Sequence, residues 1–313
     1  MAARFDTVSF LSDYGHEDEF VGVVHSVIRS IAPHVAIIDV AHGITPHDAR
    51  AGGLALARAA NYLCPGVVVA VVDPGVGTRR RAVAIEVGDG ASYLVGPDNG
   101  LLAPAVGLVG GATRAIELTS PDHRLPLAGG ATFDGRDVFA PAAAHLCNGV
   151  PLEELGEAID TAGLVPGVLP VSQMEGDELV AEVLWIDRFG NCQLNVDPVD
   201  VDQFGTTILV VMPNTEKIGM RTEAYDQIPT GRAGLMVDSS GLLSLAVARG
   251  SAASEFDLAE GDEIRLAVAD SLAVADSRAV ADSRAVADSR AGTDSQQGGV
   301  SIAVEIQRKG HAQ

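Results

Sequence analysis

The apolar positions of the first half of the chain alternate between two periods. Thr7–Leu11 is a short apolar run that stops at the polar Ser12-Asp-Tyr-Gly15, which predicts a strand with a turn at its C-terminal end. Val21, Val24, Ile28 and Ile31 follow at helical spacing, and Pro33 closes that helix. A second strand is predicted over Ala36–Val40, an alanine-rich helix over Asp48–Tyr62, and a third strand over Val67–Val72. The last of these is apolar without alternation, as expected of a parallel strand covered on both faces. Ala82–Val87 and Tyr93–Val95 add two more strands. A β-α-β-α-β order of this kind predicts an α/β layered domain with a mostly parallel sheet and its chemistry at the C-terminal ends of the strands.

From about residue 164 the pattern changes. Leu164–Pro170, with two prolines and a glycine, reads as a linker. Short strands separated by turn residues follow at Leu179–Ile186, Thr207–Met212, Gly234–Val237, Leu242–Ala248 and Ile264–Val268, the pattern of a small β-barrel or sandwich. We therefore divide the chain into an α/β domain over residues 1–165 and a β domain over 174–313. Residues 266–295 are five near-copies of a six-residue unit, Leu-Ala-Val-Ala-Asp-Ser and variants. A hexapeptide solenoid needs about three units per coil and several coils to enclose a core. The repeat is therefore read as a flexible insertion, with the apolar alternation of 300–306 resuming as a strand beyond it.

Composition narrows the function. The 313 residues carry 42 acidic and 21 basic side chains, a formal net charge of −21. Nucleic acid and acidic membrane surfaces both need basic footprints, so neither is expected as a partner. A 47% hydrophobic content with only 4% aromatics supplies an aliphatic core. Cys64, Cys147 and Cys192 are odd in number and far apart, with neither metal nor disulfide spacing, which points to buried thiols in a reducing compartment, the cytoplasm. The N-terminus has no signal segment, and no apolar run approaches the roughly 20 residues of a membrane span.

Five polar clusters sit where strands end. Ser12–Asp18 holds Asp13 and Asp18, which could grip ribose hydroxyls and an ammonium group, or simply complement a helix N-terminus. Asp73 to Arg81 reads Asp-Pro-Gly-Val-Gly-Thr-Arg-Arg-Arg; the arginines keep Asp73 ionised and oriented, and the missing Gly-Lys-Ser/Thr ending excludes a phosphate-binding P-loop. Gly96–Gly100 is a turn signal, and Ala131–Asp137 sets polar residues ahead of an apolar segment. Asp187–Asn191 offers Phe189 and Asn191, suited to a purine ring or equally to a tight β-turn. The eight histidines contain no HExxH pair, so zinc and other metals are not expected, and without a Gly-x-Ser-x-Gly elbow a serine hydrolase of that kind is not expected either.

Together, Leu11–Gly15, Asp39–Asp48, Val71–Arg80, Gly96–Leu102, Thr132–Pro141 and Phe189–Asn191 make the chain similar to the S-adenosyl-L-methionine hydroxide adenosyltransferase family, relatives of fluorinase and chlorinase. The resemblance spans nearly everything outside the repeat. It implies an N-terminal α/β domain, a C-terminal β-barrel, and a homotrimer whose sites lie between subunits. It implies water or hydroxide attack on C5′ of the ribose, giving adenosine and L-methionine, with S-adenosyl-L-methionine as substrate and no cofactor. A water-activating Asp–Arg–His trio falls on Asp73, Arg80 and the position of Asp134. That last position is a departure, because the family string carries histidine where this chain has aspartate. By position-matching, Asp13 binds the ribose hydroxyls, Asp18 the ammonium, Phe189 and Asn191 the adenine, and Ser239 the carboxylate. Two other readings stay open. One is a nucleoside or S-adenosyl-L-methionine binding protein with little turnover. The other is a halide-using adenosyltransferase, against which Asp73 stands because an anionic carboxylate repels halide.

Overall fold

The computed structural model describes residues 4–126 and 129–269, and the chain divides into two compact units that meet at Val171/Ser172. In the first unit the strands are β1 (Thr7–Ser12), β2 (Ala36–Ala41), β3 (Val67–Val71), β4 (Ala82–Val87), β5 (Ser92–Pro97), β6 (Ala112–Glu117) and β7 (Glu157–Ile159). The helices are α1 (Phe20–Ile31), α2 (Ala49–Ala60), α3 (Ala103–Leu108) and α4 (Ala140–Cys147). One sheet of order β2-β1-β3-β5-β4-β6-β7 contains all seven strands. The pairs β2–β1, β1–β3 and β3–β5 are parallel, and β4 enters antiparallel between β5 and β6. Five of the seven strands therefore point one way, with β4 and β7 reversed.

Strand pleating explains the layering. Val67, Val69 and Val71 face the core shared with α1 and α4, while Val68, Ala70 and Val72 face the core that includes Leu56 of α2 and Ala105 of α3. Every residue of β3 is buried, which accounts for its unbroken valine-rich sequence. Asp48 caps α2 by accepting a 2.8 Å hydrogen bond from Ala51 N–H. The segment read as a linker begins as part of this unit: Val165 N–H donates to Asp98 Oδ1 at 2.8 Å, and Arg81 donates to the Gly163 carbonyl at 2.5 Å.

The second unit contains β8 (Gln173–Glu175), β9 (Glu178–Ile186), β10 (Cys192–Leu194), β11 (Thr207–Met212), β12 (Thr215–Arg221), β13 (Ala233–Val237), β14 (Leu243–Val247) and β15 (Glu263–Val268), with a short helix α5 (Ala252–Phe256). The strand order β10-β14-β13-β12-β11-β15-β9 closes on itself through the β9–β10 pairing, which makes a seven-stranded barrel with β8 added outside β9. Its interior is filled by residues such as Val183, Leu194, Ile208, Leu235, Leu245 and Ile264. Leu266–Val268, the first half of the first repeat unit, completes β15. Residues 270–295 of the repeat and the strand expected at 300–306 lie outside the described residues. The barrel closes without them.

Candidate functional site

Asp73 stands two residues beyond β3, at the C-terminal end of the parallel half of the sheet. The chain then folds back on itself. Thr78 N–H and Thr78 Oγ1 both donate to the Gly75 carbonyl, at 3.2 and 2.7 Å, and Arg80 N–H donates to Thr78 Oγ1. This turn brings Arg80 over Asp73 as a two-pronged pair, with Nε on Oδ1 at 3.0 Å and Nη2 on Oδ2. The same Nη2 donates to Asp134 Oδ2 at 2.6 Å. Asp134 stands at the head of a π-helical turn, Gly135–Phe139, that runs into α4. The Arg80 guanidinium also lies 5.5 Å from the Phe139 ring centroid.

All three side chains are sequestered: 5% exposed for Asp73, 8% for Arg80 and 18% for Asp134. Two carboxylates share one guanidinium, so the trio carries one net negative charge. Burial holds the Asp73 carboxyl above the usual carboxylate range, with Asp134 adding to the effect, and Arg80 only partly offsets this.

Tyr14 connects this trio to the β1 turn. Its hydroxyl is pushed up by burial and by Asp13, Asp73 and Asp134, with Arg80 opposing. Its ring stacks edge-on against Phe10 and Phe133. Gly135 is the seat for that hydroxyl: a Cβ there would lie 2.3 Å from the Tyr14 oxygen. Asp13 joins the same neighbourhood, its Oδ2 accepting from His47 N–H at 2.9 Å. Asp18 is exposed in the turn ahead of α1 and is not gathered into the trio. Two further residues fix the floor. Asn99 Nδ2 donates to the Val72 carbonyl at 2.8 Å, immediately before Asp73, and Asp98 Oδ2 receives Arg81 Nε at 2.9 Å, immediately after Arg80.

In the barrel, Phe189 and Asn191 lie on the loop from β9 to β10. Asp187 organises it, accepting from Phe189 N–H, Asn191 N–H and Asn191 Nδ2 at 2.8 to 2.9 Å. Gly190 is obligatory there, since its φ is +83° and a Cβ would fall 2.0 Å from Ser251 Oγ. Phe189 is 77% exposed, a large aromatic face turned to water, with Tyr225 at 48%. The Tyr225 hydroxyl lies 3.4 Å from Asn191 Nδ2. Ser239 is exposed in the β13–β14 turn, which is fastened to β10 by Gln193 Nε2 donating to Asp238 Oδ2 at 2.5 Å. Phe189, Asn191 and Ser239 thus lie on two loops that β10 links.

Comparison with known proteins decides the family. Residues 8–156 match the model of the SAM hydroxide adenosyltransferase N-terminal domain, and residues 181–265 that of the C-terminal domain. The chain belongs to the SAM hydroxide adenosyltransferase family. Within it, the chain is 43% identical over 259 residues to the (R)-S-adenosyl-L-methionine hydrolase of Salinispora arenicola, covering 83% of this chain and 97% of the relative. It is 43% identical over 266 residues to the hydrolase of the same name from Thermus thermophilus, covering 83% and 98%. A fluorinase from Actinopolyspora mzabensis is 28% identical over 290 residues, covering 83% of this chain and 96% of the fluorinase. Among solved structures, an uncharacterized conserved protein from Thermotoga maritima superposes with a TM-score of 0.76 at 32% identity, covering 83% of this chain and 99% of that one.

In this SAM hydroxide adenosyltransferase family member, Asp73 and Asp134 both accept from Arg80 Nη2. Tyr14, Gly135, Asn99, Asp98, Asp187 and Tyr225 were not assigned from sequence. For Asn99 and Gly135 the signal was the motif itself: each string keeps a residue whose purpose emerges only when a carbonyl or a hydroxyl from elsewhere arrives beside it. Tyr225 lies in a stretch without any motif.

Proposed function

We propose that this protein hydrolyses S-adenosyl-L-methionine, in the (R)-sulfonium form named for its relatives, to adenosine and L-methionine. The observation that carries this reading is the buried Asp73–Arg80–Asp134 cluster at the end of β3, beside Asp13. Water attacks C5′, the C5′–S bond breaks with its electron pair going to sulfur, and the water proton passes to the Asp73 carboxylate. A carboxyl held above its ordinary range is the better proton acceptor. Arg80 fixes the direction of that carboxylate, and the net negative trio attracts the sulfonium. The departing methionine sulfur loses its charge, so the protein's main task is alignment of water at about 3–3.5 Å from carbon and exclusion of bulk solvent. Asp13 binds the ribose hydroxyls, Asp18 the ammonium, Phe189 and Asn191 the adenine, and Ser239 the carboxylate.

We also propose a homotrimer in which the Phe189–Asn191 loop of one subunit serves a neighbour's Asp73. Support comes from the family resemblance and from the division of ligand residues over two units. Cys147 and Cys192 are buried thiols as expected, whereas Cys64 is exposed; three unpaired thiols support a cytoplasmic setting. Among the described residues no helix is long and apolar enough to cross a membrane.

Purified protein incubated with each sulfonium epimer should release adenosine and methionine in equal amounts from the (R) form. Asp73→Asn and Arg80→Ala should each cut turnover at least about tenfold. Ligand binding with no adenosine above the spontaneous rate would overturn the hydrolase reading, and a halide-dependent 5′-haloadenosine product would replace it with halide transfer. Mixing Asp73→Asn and Asn191→Ala subunits should restore activity. A monomeric mass, or no recovery on mixing, would reject the shared site.

A further inference from the structure

A histidine from α1 meets an Asp–His pair three residues apart at the end of β2, at the edge of the first unit. His25 is carried by α1, Asp39 by β2, and His42 by the loop that follows β2. His25 Nε2 stands 2.8 Å from Asp39 Oδ1, and His42 Nε2 stands 3.0 Å from the same oxygen. All the donor atoms lie within 4.8 Å of one another. The His42 side chain is 1% exposed, whereas His25 and Asp39 are 29% and 43% exposed. The cluster therefore has one ligand at its base, two at its rim, and water on its open side. Ser12 Oγ lies 2.7 Å from His42 Nδ1. While Nε2–H donates to Asp39, Nδ1 accepts from that hydroxyl; with an ion bound, Nδ1–H donates to it instead and leaves the Nε2 lone pair to the metal, which is how an outer partner fixes the tautomer of a ligating imidazole.

We propose that His25, Asp39 and His42 form a binding site for a divalent transition metal ion, zinc foremost, with water completing a tetrahedron. Two imidazoles and one carboxylate suit zinc and its first-row neighbours; magnesium and calcium take oxygen ligands. Metal bonds of about 2.1 Å at tetrahedral angles separate ligand atoms by about 3.4 Å. The nitrogen–oxygen pairs at 2.8 and 3.0 Å need to open by only about half an ångström. The bound ion ties α1 to β2, the strand at the end of the sheet order. Through His42 and Ser12 it also braces the end of β1, one residue before Asp13. The site is a clasp and takes no part in the reaction at Asp73.

The test uses the full chain stripped with a chelator. Equilibrium dialysis with zinc should find one ion per chain, cobalt should give the intense visible bands of tetrahedral coordination, and zinc should raise Tm. His25→Ala and Asp39→Asn should each weaken zinc binding at least about tenfold and abolish the zinc-dependent rise in Tm. His123→Ala alters a histidine stacked on His145 elsewhere in the unit and should change neither. Circular dichroism of the metal-free variants separates a lost ligand from a lost fold: with a native spectrum, a weakened site is the expected result. Absence of saturable binding at one ion per chain overturns the proposal. So does zinc affinity that survives both His25→Ala and Asp39→Asn, or that falls equally in His123→Ala.

Discussion

Asp134 is the residue on which the site turns. Its carboxylate accepts a 2.6 Å hydrogen bond from Arg80 and sets a negative charge beside Asp73. That charge helps raise the Asp73 carboxyl. Asp134→His removes it and supplies a neutral partner at neutral pH. We expect Asp134→His to keep turnover within about threefold of the parent, with the acidic limb of its pH profile moved to lower pH, whereas Asp134→Ala loses about tenfold or more. Steady-state rates across pH check both. The parent's own profile follows from Asp73. Turnover needs the carboxylate, so it should fall on acidification at a pH above the usual aspartate range. The sign for stability is opposite. The folded chain binds the Asp73 proton more tightly than the unfolded chain, so this group adds stability as pH drops through the same window. A rate profile flat from neutral pH down to the ordinary aspartate range would contradict the raised carboxyl.

At the scale of elements, the loop between β3 and β4 and the turn before α4 are made for each other. Gly135 opens that turn because Tyr14 occupies the space a Cβ would need. Gly135→Ala must move the Tyr14 ring or the turn, and with it Asp134. Overpacking of this kind costs about 1–3 kcal/mol. We expect a lowered denaturation midpoint together with reduced turnover, and Tyr14→Phe in the same background should recover part of the midpoint by removing the clashing oxygen. Elements with strong periodicity were legible in the sequence: β1, α1, β3, β4, β9, β11 and β15 fall within a residue or two of where their patterns end. Others were not. β12 reads Thr-Glu-Lys-Ile-Gly-Met-Arg, a polar strand whose register is set by β11 and β13 rather than by its own alternation. β10 is three residues long, too short to carry a period. Half of α4 is alanine, and every residue of it except His145 is buried, so it shows no amphipathic stripe. The Asp73–Arg80 pair was legible for a related reason: it lies within one turn after one strand. The contact of Tyr14 with Gly135 and the arrival of His25 beside the Asp39–His42 pair require separate segments to meet, and no local pattern announces that.

The whole chain is longer than the part its family accounts for. The two family domains end at residue 265, and β15 completes the barrel at Val268. Stopping the chain after Ala269 should therefore leave both Tm and turnover unchanged within error, measured by calorimetry and by adenosine release. Loss of either would show that the remaining 44 residues serve the fold or the site.

The barrel's closure has a further consequence. β10 holds the cylinder shut with two register pairs to β14 and three to β9, one of them displaced by a bulge. The β10–β14 seam, with two pairs, is the shortest zipper in the barrel, and the loop carrying Phe189 and Asn191 runs straight into β10. Slow amide exchange should therefore break down first along β10, and a purine held by that loop, as proposed above, would act as a latch on the cylinder. Recognition and barrel breathing are then one equilibrium seen from two sides: whatever loosens the seam weakens the grip, and whatever is gripped keeps the seam closed.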